Sequence, residues 1–258
     1  MAAFTMPLSL YMSAPVHAVA PSDDLDTAHR RLAELRISSL AVTEGDRIVG
    51  VVSRTDLLRV GRRQAGMRGK AALLTLPKRP VSTVMTREVI AFDVDEPVTT
   101  AATAMVGRHL HRVFALDDGA LAGVLSTKDI MLAIRDRRVR DPIATYMSTP
   151  VFTVRAEEPI ALATERLERA HVTGLIVVED EWPVGVFTQV EALEARDSPR
   201  DTPVEEAMSP ALLCLDSDTR MHRAAAQAAA TRVRRVVAVE HRQMRGILTG
   251  LDFTRVAV

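Results

Sequence analysis

GVVSRTDLL, residues 50–58, is spelled nearly four times in this chain: GVLSTKDIM occupies 123–131, GVFTQVEAL 185–193 and GILTGLDFT 246–254. Each copy sets a Gly, an apolar pair, a Ser or Thr, and an acid three positions further on. The Gly recurs at spacings of 73, 62 and 61 residues. A second mark, Met followed by Ser or Thr, stands 38 residues ahead of each Gly: Met12-Ser13, Met85-Thr86, Met147-Ser148 and Met208-Ser209. Two marks held in phase define an internal repeat, and such a repeat settles the architecture before any local reading does.

Each repeat changes pattern in one order. A short apolar strand comes first, as in PVHAVA (15–20) or VFTVRA (151–156). Acids and Pro follow where a helix begins: Ser22-Asp23-Asp24, Asp95-Glu96-Pro97, Glu157-Glu158-Pro159 and Ser217-Asp218. The spacing of Leu25, Ala28, Leu32, Leu35 and Ile37 predicts one apolar helical stripe. Two apolar runs, SLAV (39–42) and IVGVV (48–52), flank the turn Glu44-Gly45-Asp46 and read as strands covered on both faces. A last helix starts near the repeated hydroxyl. The expectation is an α/β (α+β) chain of four β-α-β-β-α repeats over 9–62, 81–139, 143–197 and 204–258.

The bulk composition narrows the function classes. There are 33 basic and 33 acidic residues, so no net charge steers the chain to nucleic acid. One cysteine, Cys214, excludes an internal disulfide and a cysteine metal cluster, and it suits a reducing cytoplasm. It lies in the strand-like ALLCLDSD, where a buried inert thiol is expected. No apolar run reaches the ~18 residues of a membrane span. The apolar start leading to His17-Ala18-Val19-Ala20 is expected to be part of the first repeat rather than a leader, since YMSAPV (11–16) nearly copies YMSTPV (146–151). His109 and His111 alternate without a Cys or acid at ligand spacing, so no metal site is expected. No HExxH, phosphate-binding Gly-rich loop or nucleophile elbow is present, so no enzyme is indicated. The extra length of the first spacing is GRRQAGMRGKAALLTLPKRP (61–80), with Arg62, Arg63, Arg68, Lys70, Lys78 and Arg79 and no acid. It reads as a solvated helix tail plus linker, or as a basic arm touching an anion or a partner.

The Met-Ser/Thr opening, the apolar β-β pair and the Gly-h-h-Ser/Thr-x-x-Asp ending resemble the CBS domain, over essentially all of the chain. The resemblance implies that repeats pair into Bateman modules, the first with the second and the third with the fourth. It also implies that two modules form a disc, in an arrangement similar to the gamma subunit of AMP-activated protein kinase. It implies a non-catalytic, cytoplasmic sensor of AMP, ADP or ATP, with S-adenosylmethionine as the alternative ligand, and an unidentified protein target. A ligand-free assembly scaffold is the competing reading, and a homodimer of chains is the alternative to one folded chain. Neither a membrane nor nucleic acid is an expected partner, and no metal is needed for the fold.

The motif has two physical readings. A hydroxyl just ahead of a helix sits beside unpaired N–H groups and the positive end of the dipole, which favours phosphate. An Asp one turn on can accept from a ribose diol, and the Gly would let a flat base approach the strands. The same Ser/Thr-x-x-acid pattern is also a capping box that binds nothing. On the ligand reading Asp56, Asp129 and Asp252 hold ribose, with Glu191 the poorest fit. Ser53, Thr55, Ser126, Thr188 and Thr249 stand at phosphate. His111-Arg112 and Arg234-Arg235 supply charge, the former resembling a His-Arg pair of the family, while the odd repeats have only Ser38-Ser39 and Thr173-Gly174 at those positions. Arginine suits that role because it grips phosphate in a bidentate way.

Overall fold

The computed structural model describes residues 4–62 and 72–258. The same five elements recur four times. The first repeat holds β1 (Ala18–Val19), α1 (Leu25–Glu34), β2 (Ser39–Glu44), β3 (Arg47–Ser53) and α2 (Arg54–Arg62). The second holds β4 (Ala91–Asp93), α3 (Val98–Gly107), β5 (Arg112–Asp117), β6 (Ala120–Ser126) and α4 (Thr127–Asp136). The third holds β7 (Thr153–Arg155), α5 (Ile160–Arg169), β8 (Gly174–Glu179), β9 (Trp182–Thr188) and α6 (Gln189–Glu194). The fourth opens with a short helix, α7 (Val204–Ala207), then β10 (Leu213–Asp216), α8 (Met221–Thr231), β11 (Val236–Glu240), β12 (Gln243–Leu248) and α9 (Gly250–Arg255). Each repeat makes one three-stranded sheet, with a parallel pair joined to an antiparallel hairpin. Helix α1 buries Leu25, Ala28 and Leu32, but it ends at Glu34, so Leu35 leaves the expected stripe and is exposed.

The opening segment of every repeat folds onto another repeat. Ser13 exchanges both backbone hydrogen bonds with Val124, Thr86 with Val51, Ser148 with Ile247 and Ser209 with Val186. The first and second repeats therefore trade segments, and so do the third and fourth. A few residues earlier the same segments strap the first helix of the same partner repeat. Val98 and Thr99 donate to the carbonyls of Met6 and Phe4, Ile160 and Ala161 to Thr202 and Arg200, and Met221 and His222 to Asp141 and Val139. The N-caps of these helices, Pro97, Pro159 and Arg220, make no side-chain cap bond. The strap carbonyls satisfy N–H groups that a capping side chain would otherwise serve. At α1 the strap serves Leu25 through Arg79, and the Asp24 side chain caps Thr27.

The seat for each exchanged segment is the repeated Gly. A Cβ built on Gly123 would lie 2.5 Å from the sulfur of Met12. On Gly50 it would meet Met85, on Gly185 Met208 and on Gly246 Met147. The two sequence marks are thus the two halves of one contact. The face of the Gly expected to receive a flat base is filled by a methionine.

Chain packing divides the molecule into two compact units. Unit 1 comprises the chain up to Val16, Ile90–Val151 and Leu212–Val258, and unit 2 comprises His17–Val89 and Phe152–Ala211. Unit 1 thus joins the bodies of the second and fourth repeats, and unit 2 those of the first and third. In unit 1 one core unites Ala101, Met105, Ile130 and Ile134 with Ala224, Ala228, Leu248 and Phe253. In unit 2 the core unites Leu25, Leu32 and Leu57 with Ile160, Leu167, Phe187 and Leu193. Burying one such Leu or Phe stabilises by about 1.5–3 kcal/mol. The exchanged segments therefore follow the expected pairing of repeats, while the helix packing inside each unit runs across it.

Part of the expected linker belongs to this second core. Leu73, Leu74 and Leu76 are buried in unit 2, and Leu73 and Leu74 donate to the carbonyls of Ser198 and Arg196. The apolar ALLTL stretch is thus packed rather than solvated. Arg63, Arg68, Lys70 and the side chain of Arg62 lie outside the described residues, while Lys78 and Arg79 are exposed.

Candidate functional site

All four motifs close on themselves. In each, the acid at the third helical position accepts from the backbone N–H and the hydroxyl of the Ser or Thr before the helix. For Ser53 and Asp56 these distances are 2.9 and 2.6 Å, for Ser126 and Asp129 2.6 and 2.7 Å, and for Thr249 and Asp252 2.7 and 2.7 Å. Thr188 donates to Glu191 in the same way, through its N–H at 2.8 Å and through its hydroxyl. The capping box is therefore built in every copy, Asp and Glu alike, and one carboxylate oxygen of each acid is committed to it.

The second oxygen separates the copies. Asp129 Oδ1 accepts from the hydroxyl of Ser13 at 3.1 Å, and Asp252 Oδ1 from that of Ser148 at 2.6 Å. Both serines belong to exchanged segments, so the Met-Ser mark delivers a hydroxyl to the acid as well as a methionine to the Gly. Asp252 Oδ1 also accepts from Arg255 at 2.6 Å, which fills that carboxylate. In unit 2 Ser209 turns its Oγ to accept from the N–H of Ala211 instead. Thr55 donates to Gln189 Oε1 at 2.9 Å and ties α2 to α6. Asp129 and Asp252 are buried, whereas Asp56 and Glu191 are partly exposed.

The cations converge in unit 1. Arg112 begins β5 and pairs in register with Ser126, so the ladder sets the two residues side by side. Helices α4 and α9 meet closely at their N-termini, where a Cβ on Gly250 would lie 2.5 Å from the Thr127 hydroxyl. That approach brings Arg234-Arg235 toward His111-Arg112. Burial, and then Arg112, Arg235, Arg234 and His109, push the His111 imidazole down to about 4. Burial and then Arg234 push Arg112 down to about 10, against the pull of Asp129. Lys128 is also held below the usual lysine range, first by burial and then by Arg234. Asp129 is raised by its burial in spite of the bonds from Ser126 and Ser13. At neutral pH His111 is thus an uncharged imidazole set among fixed positive charges.

Unit 2 has a different centre. Ser39 and Gly174 pair with Ser53 and Thr188 where Arg112 pairs with Ser126. Arg54, the residue after the motif hydroxyl, is buried and donates to the carbonyls of Ile37 and Leu32 at the end of α1. Burial holds Arg54 below the usual arginine range, and Glu194 and Glu191 offset part of that effect.

The structure thus brings together Ser126, Asp129, His111, Arg112, Arg234 and Arg235, with Thr249 and Asp252 in the same unit. It keeps Ser53, Thr55, Asp56, Thr188 and Glu191 apart from them in unit 2. Ser13, Ser148 and Lys128 escaped the sequence reading as site residues. The signal for the two serines was present, since both stand in the Met-Ser mark. Cys214 is half-buried, and burial raises its thiol above the usual range, which suits an inert side chain. Among the described residues no group of three or more His, Cys, Asp or Glu is placed to hold a metal, and no helix is long and apolar enough to cross a membrane.

Comparison with known proteins gives a consistent picture. An uncharacterized protein of Methanocaldococcus jannaschii is 27% identical over 156 residues, covering 53% of this chain and 37% of that protein. An A-adding tRNA nucleotidyltransferase of Geobacter sulfurreducens is 25% identical over 203 residues, covering 75% of this chain but 22% of that enzyme. The chain therefore spans well under half the length of these two relatives. Among solved structures, a proposed archaeal homologue of g-AMPK from Methanocaldococcus jannaschii superposes with a TM-score of 0.81. It is 15% identical and covers 98% of this chain and 100% of its own, so the likeness is one of fold. The model of the CBS domain matches residues 9–63, 81–136 and 139–198, and the fourth repeat has the same element order. The chain belongs to the CBS-domain family.

Proposed function

We propose that the protein is a cytoplasmic, non-catalytic regulator that binds an adenine nucleotide in unit 1, with the phosphates on the cluster of His111, Arg112, Lys128, Arg234 and Arg235. One observation carries the reading: basic side chains from two repeats, Arg112, Lys128, Arg234 and Arg235, converge beside Asp129 and the buried His111. An anion placed among them would offset part of their mutual repulsion. Ser126, opposite Arg112 in the ladder, would release its hydroxyl from Asp129 to meet a phosphate at the start of α4.

Asp129 is the better of the two acids for ribose. Its second oxygen holds one hydroxyl, from Ser13, which a ribose diol can replace like for like. Asp252 would also have to release Arg255. Asp56 and Glu191 keep the cap and lack the cations. A nucleotide held by Arg112 and Arg234 at once would bridge the second and fourth repeats, so occupancy would set the packing of unit 1 and the surface it offers to a protein target.

Calorimetry with AMP, ADP, ATP and adenosine tests the proposal. The three nucleotides should bind and adenosine should not, because the phosphates meet the charge. Charge-assisted hydrogen bonds contribute about 1.5–3 kcal/mol, so Arg112→Gln and Arg234→Gln should each weaken binding by about 10- to 150-fold. Wild-type affinity in both variants, or equal binding of adenosine, would defeat this reading.

A further inference from the structure

We propose that unit 1 carries a second anion site, separate from the motif, in a cavity of about 430 Å³ that takes an oligophosphate group. Five arginines line it, Arg135, Arg138, Arg140, Arg220 and Arg223, together with His222. Among the described residues no acid lines the cavity, and it shares no residue with the cluster around His111.

The two walls differ in origin. Arg135 lies in the last turn of α4, and Arg138 and Arg140 follow that helix. Cations suit a helix C-terminus, and Arg135 also pairs with Asp136 at 2.7 Å, so this wall has an ordinary explanation. The opposite wall has none. Arg220 is the N-cap of α8, and His222 and Arg223 stand in its first turn, at the end where the helix dipole disfavours positive charge. Three cationic or ionisable side chains there work against the helix dipole, and an anion between the walls would offset that.

The helix amides are not the receptor. The N–H groups of Met221 and His222 already donate to Asp141 and Val139 in the strap that crosses the start of α8. His222 Nδ1 lies 2.7 Å from the Val139 carbonyl, and only a protonated Nδ1 can bond that oxygen, so the ring is held in place by the strap. The side chains must therefore do the binding. Guanidinium groups grip phosphate oxygens in pairs, and five of them exceed what one phosphate can use. Ala226 is the single apolar residue of the lining, so there is no seat for a nucleobase or an apolar side chain. The chemistry fits a short run of phosphates, whether free or carried on a nucleotide. Bound there, it would clamp the end of α4 to the start of α8.

The test is calorimetry with inorganic tripolyphosphate on a full-length Arg112→Gln/Arg234→Gln variant, which removes the first cluster as a competing receptor. One equivalent should bind, and adding Arg220→Gln/Arg223→Gln should lower the affinity at least tenfold. Adding Arg138→Gln/Arg140→Gln instead should do the same from the opposite wall. All of these added positions are exposed, and an unchanged melting temperature without ligand checks that the variants fold. Competition by ATP for this site would identify a nucleotide's phosphate chain as the occupant, and absence of competition would identify free oligophosphate. No binding to the silenced variant, or unchanged affinity after both wall substitutions, would overturn the second site. Those results leave the proposed nucleotide site untouched, since that is read from AMP binding to the wild-type protein.

Discussion

Units 1 and 2 are built from the same repeat, strapped by the same exchanged segments and closed by the same capping boxes, yet they handle charge in opposite ways. Unit 1 gathers His111, Arg112, Lys128, Arg234 and Arg235 around one acid, Asp129. Unit 2 puts Ser39 and Gly174 at the matching ladder positions and sets its buried Arg54 near Glu191 and Glu194. Unit 1 therefore concentrates basic side chains beside its motif acid, whereas in unit 2 Arg54 Nη1 and His29 Nδ1 are buried without a hydrogen-bond partner. The capping box is a property of the repeat, and the charge beside it is a property of what surrounds it.

The largest expected effect is at His111 in unit 1, where burial acts as it also does on His29 of unit 2. His111 has its folded value near 4, below the usual 6.5. The unfolded chain therefore takes up a proton between those values that the folded chain does not. Stability should be undiminished above about pH 6.5, should fall as pH drops through the window, and should have lost about 3 kcal/mol near pH 4. Other carboxylates titrate at the lower end, so the comparison is with His111→Gln, whose melting temperature should fall less from pH 6.5 to 4.5. Bound phosphate should favour the protonated ring, so AMP binding near pH 5.5 should be accompanied by proton uptake in wild type and by none at this position in the variant. Parallel pH profiles for the two proteins would show that His111 is not held among the cations as described.

A smaller difference is expected at the methionine seats. A Cβ on Gly185 would lie 2.8 Å from the backbone oxygen of Ser209, whereas on Gly123 its near neighbours are all side-chain atoms of Met12. Methionine can swing aside, and a paired backbone cannot. Overpacking of this kind costs roughly 1–3 kcal/mol. Gly185→Ala in unit 2 should thus destabilise by about 2 kcal/mol in urea unfolding, and Gly123→Ala in unit 1 by less than about 1 kcal/mol. Equal losses would mean that the strap in unit 1 is as rigid as the one in unit 2.

These contacts show how much could be read in the sequence. The repeat, its element order and the strand pairs were legible, because the hydrophobic period and the phase of the marks are local. The cationic character of the even repeats was legible too, since His111-Arg112 and Arg234-Arg235 occupy one position of the pattern. Their convergence was not, because it depends on α4 meeting α9 across more than a hundred residues. The Gly was read as room for a base and is instead filled by a methionine from the partner repeat. The spacing of the two marks is constant, but their contact joins different copies. Ser13 and Ser148 were hidden for the same reason, as was the ALLTL stretch, whose leucines pack on α2 of their own repeat and on the core shared with the third.

The smallest expected effect separates cap from ligand contact. Asp129 and Glu191 both close a capping box, and losing such a cap costs about 1 kcal/mol. Asp129→Asn and Glu191→Gln should therefore lower stability by similar amounts, each about 1 kcal/mol or less, since the amides retain one acceptor. Burial already disfavours the Asp129 charge, which reduces its cost further. Nucleotide affinity should part the two variants. Asn in place of Asp129 leaves a ribose hydroxyl with a poorer acceptor and removes a negative charge near Arg112, two changes that oppose each other. The hydroxyl contact lies closer to the ligand than the charge does, so AMP binding should weaken by about tenfold, the equivalent of about 1.4 kcal/mol. Glu191→Gln, in the unit without the cations, should bind AMP as wild type does. If instead both variants lose stability alike and neither loses AMP, the acid serves as a cap in every copy, and any nucleotide bound in unit 1 is held by its phosphates alone.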